Sequence, residues 1–224
     1  MGTTREGEEI ERSMSTISRR AILLALILAA ALPLPRSYAQ DASAAPIELQ
    51  GQGQQLTPPV PLHAGLVVAE LTHNGRANFI TTLLDSTGGR VQGMTNVIGP
   101  FNGSTAFGIR TDGDYSINVQ ADGAWTIRLR QPAAVAETDA TSFSGVGQTA
   151  TPMFALAPGL RRFTLSHSGA ENFIVVLLDA QGRRVNGLVN EIGAFNGSKG
   201  VQIRQDGVYV LNVQADGPWT ITIE

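Results

Sequence analysis

From residue 60 to the C-terminus, apolar and polar residues alternate with a period of two in short runs, each bounded by glycine, asparagine or aspartate. Such alternation sends successive side chains to opposite faces of a strand, and nothing long in this region carries an apolar stripe at helical spacing. In the first half the pattern predicts strands over 60–62, 66–73, 78–85, 90–96, 104–110, 115–121 and 125–130. The turn signals HNG, STGG, FNGS, TDGD and ADG separate most of them, and the second half has HSG, AQG, FNGS, QDG and ADG. The run YSINVQADGAWTIRLR shows the logic. Tyr115, Ile117 and Val119 point one way while Ser116, Asn118 and Gln120 point the other, and Asp122 with Gly123 supplies a tight turn. Trp125, Ile127 and Leu129 then resume an apolar face opposite Thr126, Arg128 and Arg130, so the expected unit is a hairpin with one apolar and one polar side.

The pattern is written twice. NVQADG starts at Asn118 and again at Asn212, and the same offset of 94 residues aligns NFITTLLD at Asn78 with NFIVVLLD at Asn172 and the FNGS at Phe101 with that at Phe195. The register holds without gaps from Gly51 and Gly145 to the C-terminus, which defines a tandem duplication over 47–130 and 141–224. A unit of this size closes its own core, unlike a solenoid repeat of roughly 20–50 residues. Residues 131–140, QPAAVAETDA, have neither strand nor helix period and form a linker, with 40–46 as its counterpart. About seven strands per unit predict an all-β chain of two tandem β-sandwich, jelly-roll-like domains. The copies differ where Thr81 and Thr82 stand against Val175 and Val176, which makes the second strand apolar on both faces. One of those valines is expected to face the other domain or a second copy of the protein, giving self-association through repeat 2.

The N-terminus carries a different signal. Arg19 and Arg20 precede an apolar run of about a dozen residues, 21–32, shorter than the roughly 20 that span a bilayer as a helix. Pro33 and Pro35 follow, and Ser37 and Ala39 occupy the small-residue positions of a signal-peptidase site. Residues 1–39 are therefore expected to be a cleaved signal peptide, with Met14 as an alternative start and cleavage after Ala44 as a second choice. SRRAIL resembles a twin-arginine signal, and the leucine-rich run also suits the general secretory route, so both export routes stay open. The expected location is periplasmic or secreted, with no membrane span in the mature protein. The chain has no cysteine, which excludes disulfides and thiolate metal sites. A formal charge of -3 gives no general attraction to nucleic acid.

The segments GLRRFTLSH, FIVVLLDAQGRRV, DGVYVLNV and WTITI resemble the bacterial pre-peptidase C-terminal domain. The resemblance covers most of each repeat. It implies a jelly-roll-like sandwich of the kind appended to secreted hydrolases and other exported proteins. Some members of that family hold calcium near an acidic pair at the start of the strand equivalent to NFIVVLLD. Here that strand opens on Asn78 or Asn172, and its acid, Asp85 or Asp179, sits at the far end, so no calcium is expected.

Candidate chemistry is sparse. There is no G-x-S-x-G elbow, no thiol, no H-E-x-x-H and no glycine-rich phosphate loop, so the expectation is a non-enzymatic protein without metal or cofactor. His73 and His167 end equivalent strands and are read as structural imidazoles bonding a turn; Asp85 and Asp179 are read as turn caps, and Trp125 and Trp219 as core. Phe101 and Phe195, in the FNGS turns, are loop anchors or sugar-stacking platforms. The outward polar set Arg110, Asn118, Gln120 and Thr126 recurs as Arg204, Asn212, Gln214 and Thr220. Amides and guanidinium groups on neighbouring strands suit sugar hydroxyls or an extended peptide, and they equally suit cross-strand pairing. The functional expectation is an exported binding or structural module for carbohydrate or for an envelope or secreted protein. The alternative is an accessory subunit of a separate secreted hydrolase.

Overall fold

The computed structural model describes residues 45–224; the expected signal peptide, its cleavage site and the alternative start lie outside the described residues. The first repeat forms β1 (Ile47–Gln52), β2 (Gln55–Leu56), β3 (Val60–Leu62), β4 (Gly65–His73), β5 (Asn78–Leu84), β6 (Arg90–Ile98), β7 (Phe101–Ile109), β8 (Gly113–Gln120) and β9 (Ala124–Arg130). The second forms β10 (Ser142–Val146), β11 (Thr149–Ala150), β12 (Phe154–Leu156), β13 (Gly159–His167), β14 (Asn172–Asp179), β15 (Arg184–Ile192), β16 (Phe195–Ile203), β17 (Gly207–Gln214) and β18 (Pro218–Ile223). No helix long and apolar enough to cross a membrane occurs among the described residues.

Each repeat is an antiparallel sandwich of two sheets. In the first, β1-β9-β4-β7 faces β2-β8-β5-β6, with β3 also paired to β8; in the second, β10-β18-β13-β16 faces β11-β17-β14-β15, with β12 paired to β17. This is the strand order of a jelly roll, with the chain changing sheet at nearly every connection. The alternation read from sequence selects the inner faces. Phe79, Leu83, Ile117, Val119 and Ile127 are fully buried in the first core, and Phe173, Leu177, Leu211, Val213 and Ile221 in the second.

Two local readings need correction. Asp122 and Gly123 do not close a hairpin: β8 pairs with β2, β3 and β5, whereas β9 pairs with β1 and β4, so the chain crosses from one sheet to the other there. FNGS is not a turn either. Phe101 and Phe195 begin β7 and β16, opposite His73 and His167, and the bend lies just before them at Gly99 and Gly193, whose φ values of 94° and 88° suit glycine alone.

Sequence reading also missed β1. It is half buried, with apolar residues only at Ile47 and Leu49, and its role is visible only across the sheet. Gly51 lies opposite Trp125, whose ring occupies the space a side chain at 51 would fill, and Trp125 Nε1 donates to the Gly53 carbonyl at 3.0 Å. Gly145, Gly147 and Trp219 repeat the arrangement.

The sandwiches meet through unlike faces. The outer side of β4 and β7 in the first packs on the outer side of β14 and β17 in the second, where Leu66, Val68 and Ala106 bury against Met153, Leu178 and Val210. Ala150, Val176, Ala180 and Val208 pack against this third cluster, while Val175 belongs to the second sandwich's own core. Polar contacts fix the register. Asn212 Oδ1 accepts from the Ala106 N–H at 2.9 Å, Ser104 N–H donates to the Gln148 carbonyl at 3.1 Å, and Ala150 N–H donates to Ser104 Oγ at 2.9 Å. Glu137, inside the 131–140 segment, bonds Arg130 and the Met153 N–H, so this connection is anchored at both sides.

Candidate functional site

The histidines occupy a structural corner. His73 ends β4 where three sheet-crossing connections converge, and its Nδ1 donates to the Gly99 carbonyl of the β6–β7 bend at 2.9 Å. Nε2 lies 3.2 Å from Asp122 Oδ1 in the β8–β9 connection, a close approach without the alignment of a hydrogen bond. The ring stacks on Phe79 with centroids 4.6 Å apart. Asp122 Oδ2 in turn accepts from the Arg76 N–H at 2.9 Å, and Asn74 Oδ1 accepts from the Ala124 N–H at 2.8 Å. Gly75 must be glycine because Asp122 and His73 occupy the place of its Cβ. His167, Gly193, Asp216, Phe173 and Gly169 reproduce the corner in the second sandwich. This explains the duplicated ADG: its aspartate ties one crossover to another. With both side chains buried and bonded to the Gly99 and Gly193 carbonyls, these histidines tie the connections of each corner together.

The Arg76 N–H above all, with the Ala77 and Asp122 N–H groups and the neighbouring His73, holds the Asp122 carboxyl below the usual range; Asp216 behaves alike, with the Ala170 N–H first. A carboxyl whose pKa falls on folding contributes stability that is complete above its unfolded value of about 3.9 and is lost as pH drops through the folded value. Asp122→Asn is therefore expected to flatten the acid limb of the stability curve while leaving its shape above about pH 5 unchanged. A variant with the same acid midpoint as the unmodified chain would count against this role.

Asp85 and Asp179 cap their own turns. Asp85 Oδ1 accepts from the Thr87 hydroxyl and the Thr87 and Gly89 N–H groups, the hydroxyl contributing most to a lowered carboxyl pKa. Asp179 Oδ1 accepts from the Gln181 and Arg183 N–H groups, and Oδ2 from Arg183 Nε at 2.8 Å. Among the described residues no three His, Cys, Asp or Glu side chains form a group able to hold a metal ion.

The outward polar set does not form one surface. Thr126 belongs to one sheet and Asn118 and Gln120 to the other, so they leave the first sandwich on opposite sides. Thr126 Oγ1 lies 2.6 Å from Thr72 Oγ1, and Thr220 Oγ1 2.6 Å from Ser166 Oγ, which are cross-strand pairs. Phe101 and Phe195 pack against the cores at 5.9 Å from Phe79 and Phe173. They anchor β7 and β16, although Phe195 and Thr220 also border a shallow depression beside Trp219. Gln120 and Gln214 are exposed, and Gln214 lies beside Gln148 where the second sandwich overhangs β6.

Two members of the set do converge. Arg110 and Asn212 line a cleft of about 820 Å³ between the sandwiches, together with Gln92, Gln181, Arg183 and Arg184. Arg204 lies on the far side of the same β14–β15 turn, in a second depression that also borders Gln181 and Arg183. The cleft floor is apolar, made by Ala106, Val176 and Leu178. Arg183 is neutralised by Asp179, but Arg110 and Arg184 have no acidic partner among the described residues. Asn212 commits its carbonyl oxygen to Ala106 and Thr105. Guanidinium groups from two walls over a partly apolar floor suit a ligand with a carboxylate or similar anion.

Sequence reading did not single out Arg184, Gln181 or Gln92. At this turn, STGGRV against AQGRRV, the second copy gains Arg183 in place of Gly89 and Gln181 in place of Thr87, whereas Arg184 has its counterpart in Arg90. The difference between the copies therefore marks Gln181 but neither Arg184 nor Gln92.

No family model and no curated protein matches the chain. Among solved structures it is similar to the protein YhaK from Escherichia coli, at 11% identity over 80% of this chain and 82% of that one, with a TM-score of 0.27. It is also similar to a fucolectin from striped bass serum, at 11% identity, 79% and 84% coverage and a TM-score of 0.23. The PBSX exported protein XepA follows at 8% identity, 81% and 85% coverage and a TM-score of 0.27. At such scores these likenesses carry no argument about function.

Proposed function

We propose that the chain is an exported, non-enzymatic binding protein, built of two sandwiches of the pre-peptidase C-terminal kind, that takes an anionic saccharide in the cleft between them. One observation carries this reading: Arg110 from the first sandwich and Arg184 from the second line the same cleft, and neither has an acidic partner among the described residues. A uronate carboxylate would bridge the two arginines, and the sugar's apolar face would lie on Val176 and Leu178 while Gln92, Gln181 and the Asn212 amide meet its hydroxyls. The signal-peptide features of residues 19–39 supply the export half of the reading.

Titration calorimetry with an oligouronate and its neutral counterpart tests the proposal. Binding of the oligouronate is expected to weaken by about tenfold on Arg110→Ala or Arg184→Ala, and to weaken with added salt. Equal binding of the charged and neutral oligosaccharides, or full binding by both variants, would overturn it.

A further inference from the structure

The contact between the sandwiches joins unlike faces, and contacts of that kind continue from one unit to the next unless something stops them. Because the copies align residue by residue, each sandwich owns a version of both faces. The β13 and β16 face of the second sandwich is left uncovered, as is the β5 and β8 face of the first except where Ile80 and Thr82 border a depression shared with Gln148 and Gln214.

Those free faces keep the polar register of the used contact. Ser198 stands where Ser104 stands, Asn118 where Asn212 stands, and Gln54 where Gln148 stands. They also keep exposed apolar groups at contact positions: Leu160 is 71% exposed where Leu66 is 2% exposed, and Leu56 is 63% exposed at the position of Ala150.

Three other positions have changed in a way that opposes docking. Arg162 stands where Val68 is buried, and Lys199 where Thr105 is buried. Gln202 stands at the position of Gly108, where an added Cβ would lie 2.6 Å from the Gly182 carbonyl of the facing turn. The partner face has likewise become polar, with Thr82, Ser116 and Asp114 at the positions of Val176, Val210 and Val208. Arg162 would be desolvated in the seam, and Lys199, which donates to the Gly187 carbonyl of its own sandwich at 2.7 Å, would be enclosed with it, facing a partner surface whose one added acid is Asp114. Burying unmatched charge opposes association more than the remaining leucines favour it. Terminal units of repeat proteins stay soluble by the same means.

We propose that Arg162, Lys199 and Gln202 terminate a head-to-tail assembly that the duplicated sandwich would otherwise continue. The β13 and β16 face is thus a blocked docking surface for the β5 and β8 face of a second copy of this chain. The inference stands apart from the cleft and from any ligand in it.

Sedimentation velocity of the full chain with Arg162→Val, Lys199→Thr and Gln202→Gly provides the test, and the absence of native cysteine allows a geometric check. Ser104 and Ala150 touch inside the chain, so Ser198→Cys and Leu56→Cys should bridge neighbouring chains in the equivalent contact. The triple variant is expected to associate at least tenfold more tightly than the unmodified chain and, with the cysteine pair, to give an oxidised ladder of linear oligomers. The chain carrying only the cysteine pair should give none. A ladder from that chain would overturn the proposal, as would a folded triple variant that stays monomeric and unbridged. Should the triple variant lose its fold, Lys199→Thr with Gln202→Gly takes its place: tighter association and a ladder support the block, and a folded double variant that stays monomeric and unbridged overturns it.

Discussion

Trp125→Ala is expected to lower the stability of the first sandwich by about 3–5 kcal/mol, a large share of what a domain of this size possesses. The indole is 2% exposed, fills the space left by Gly51 on β1, and donates to the Gly53 carbonyl. Removing it opens a cavity that Gly51 cannot fill and leaves that carbonyl without its donor. The two tryptophans, one per sandwich, make the measurement clean: in Trp125→Ala the remaining fluorescence comes from Trp219, and in Trp219→Ala from Trp125. Circular dichroism of the Trp125→Ala chain during denaturant unfolding reports the whole chain, while Trp219 fluorescence reports the second sandwich. The expected record is an early loss of signal from the first sandwich, with the second following at higher denaturant to the extent that its buried contact with Leu66 and Val68 is lost. A change below about 1 kcal/mol would mean that the indole is not part of the core.

The inner faces were legible because alternation is a local property. Tyr115, Ile117 and Val119 point inward in the structure as the sequence has them, and so do Trp125, Ile127 and Leu129. Which sheet each run joins is a different matter. Asp-Gly chemistry specifies a sharp reversal, but whether the next strand pairs with the last depends on β1 and β4, more than fifty residues away for Thr72 and Thr126. The same gap hid the corner: His73, Gly99 and Asp122 are distant in sequence and become neighbours only through three crossovers. Phe101 was misplaced because Asn-Gly usually marks a turn, whereas here the preceding Gly99 takes the bend and Asn102 and Gly103 stay in β7. For the cleft, sequence supplied Arg110 and Asn212 as outward polar residues without saying that they meet. Their convergence depends on how the sandwiches pack, and the trace of that packing in sequence is the set of apolar residues present in one copy alone.

Val175 and Val176 show how far that trace can be read, since adjacent valines on one strand should respond in opposite ways to the same substitution. Val175 is fully buried within the second sandwich, so Val175→Lys places an unpaired ammonium among Phe173, Leu177 and Val213 and is expected to unfold that sandwich outright. Val176 points to the other side, into the seam with Leu66, Val68 and Ala106, and it is only partly buried. A lysine there can carry its ammonium toward the cleft while its stem stays along the seam. Val176→Lys is therefore expected to keep both cores folded, with both tryptophans still buried by fluorescence, and to weaken the contact between the sandwiches by about 1–3 kcal/mol. The separation appears as two unfolding transitions where the unmodified chain shows closely coupled ones, and as proteolysis within residues 131–140, where Glu137 no longer holds the segment against Met153. If Val176→Lys unfolds the second sandwich as completely as Val175→Lys, the strand is covered on both sides by its own core and the seam is not a separate contact.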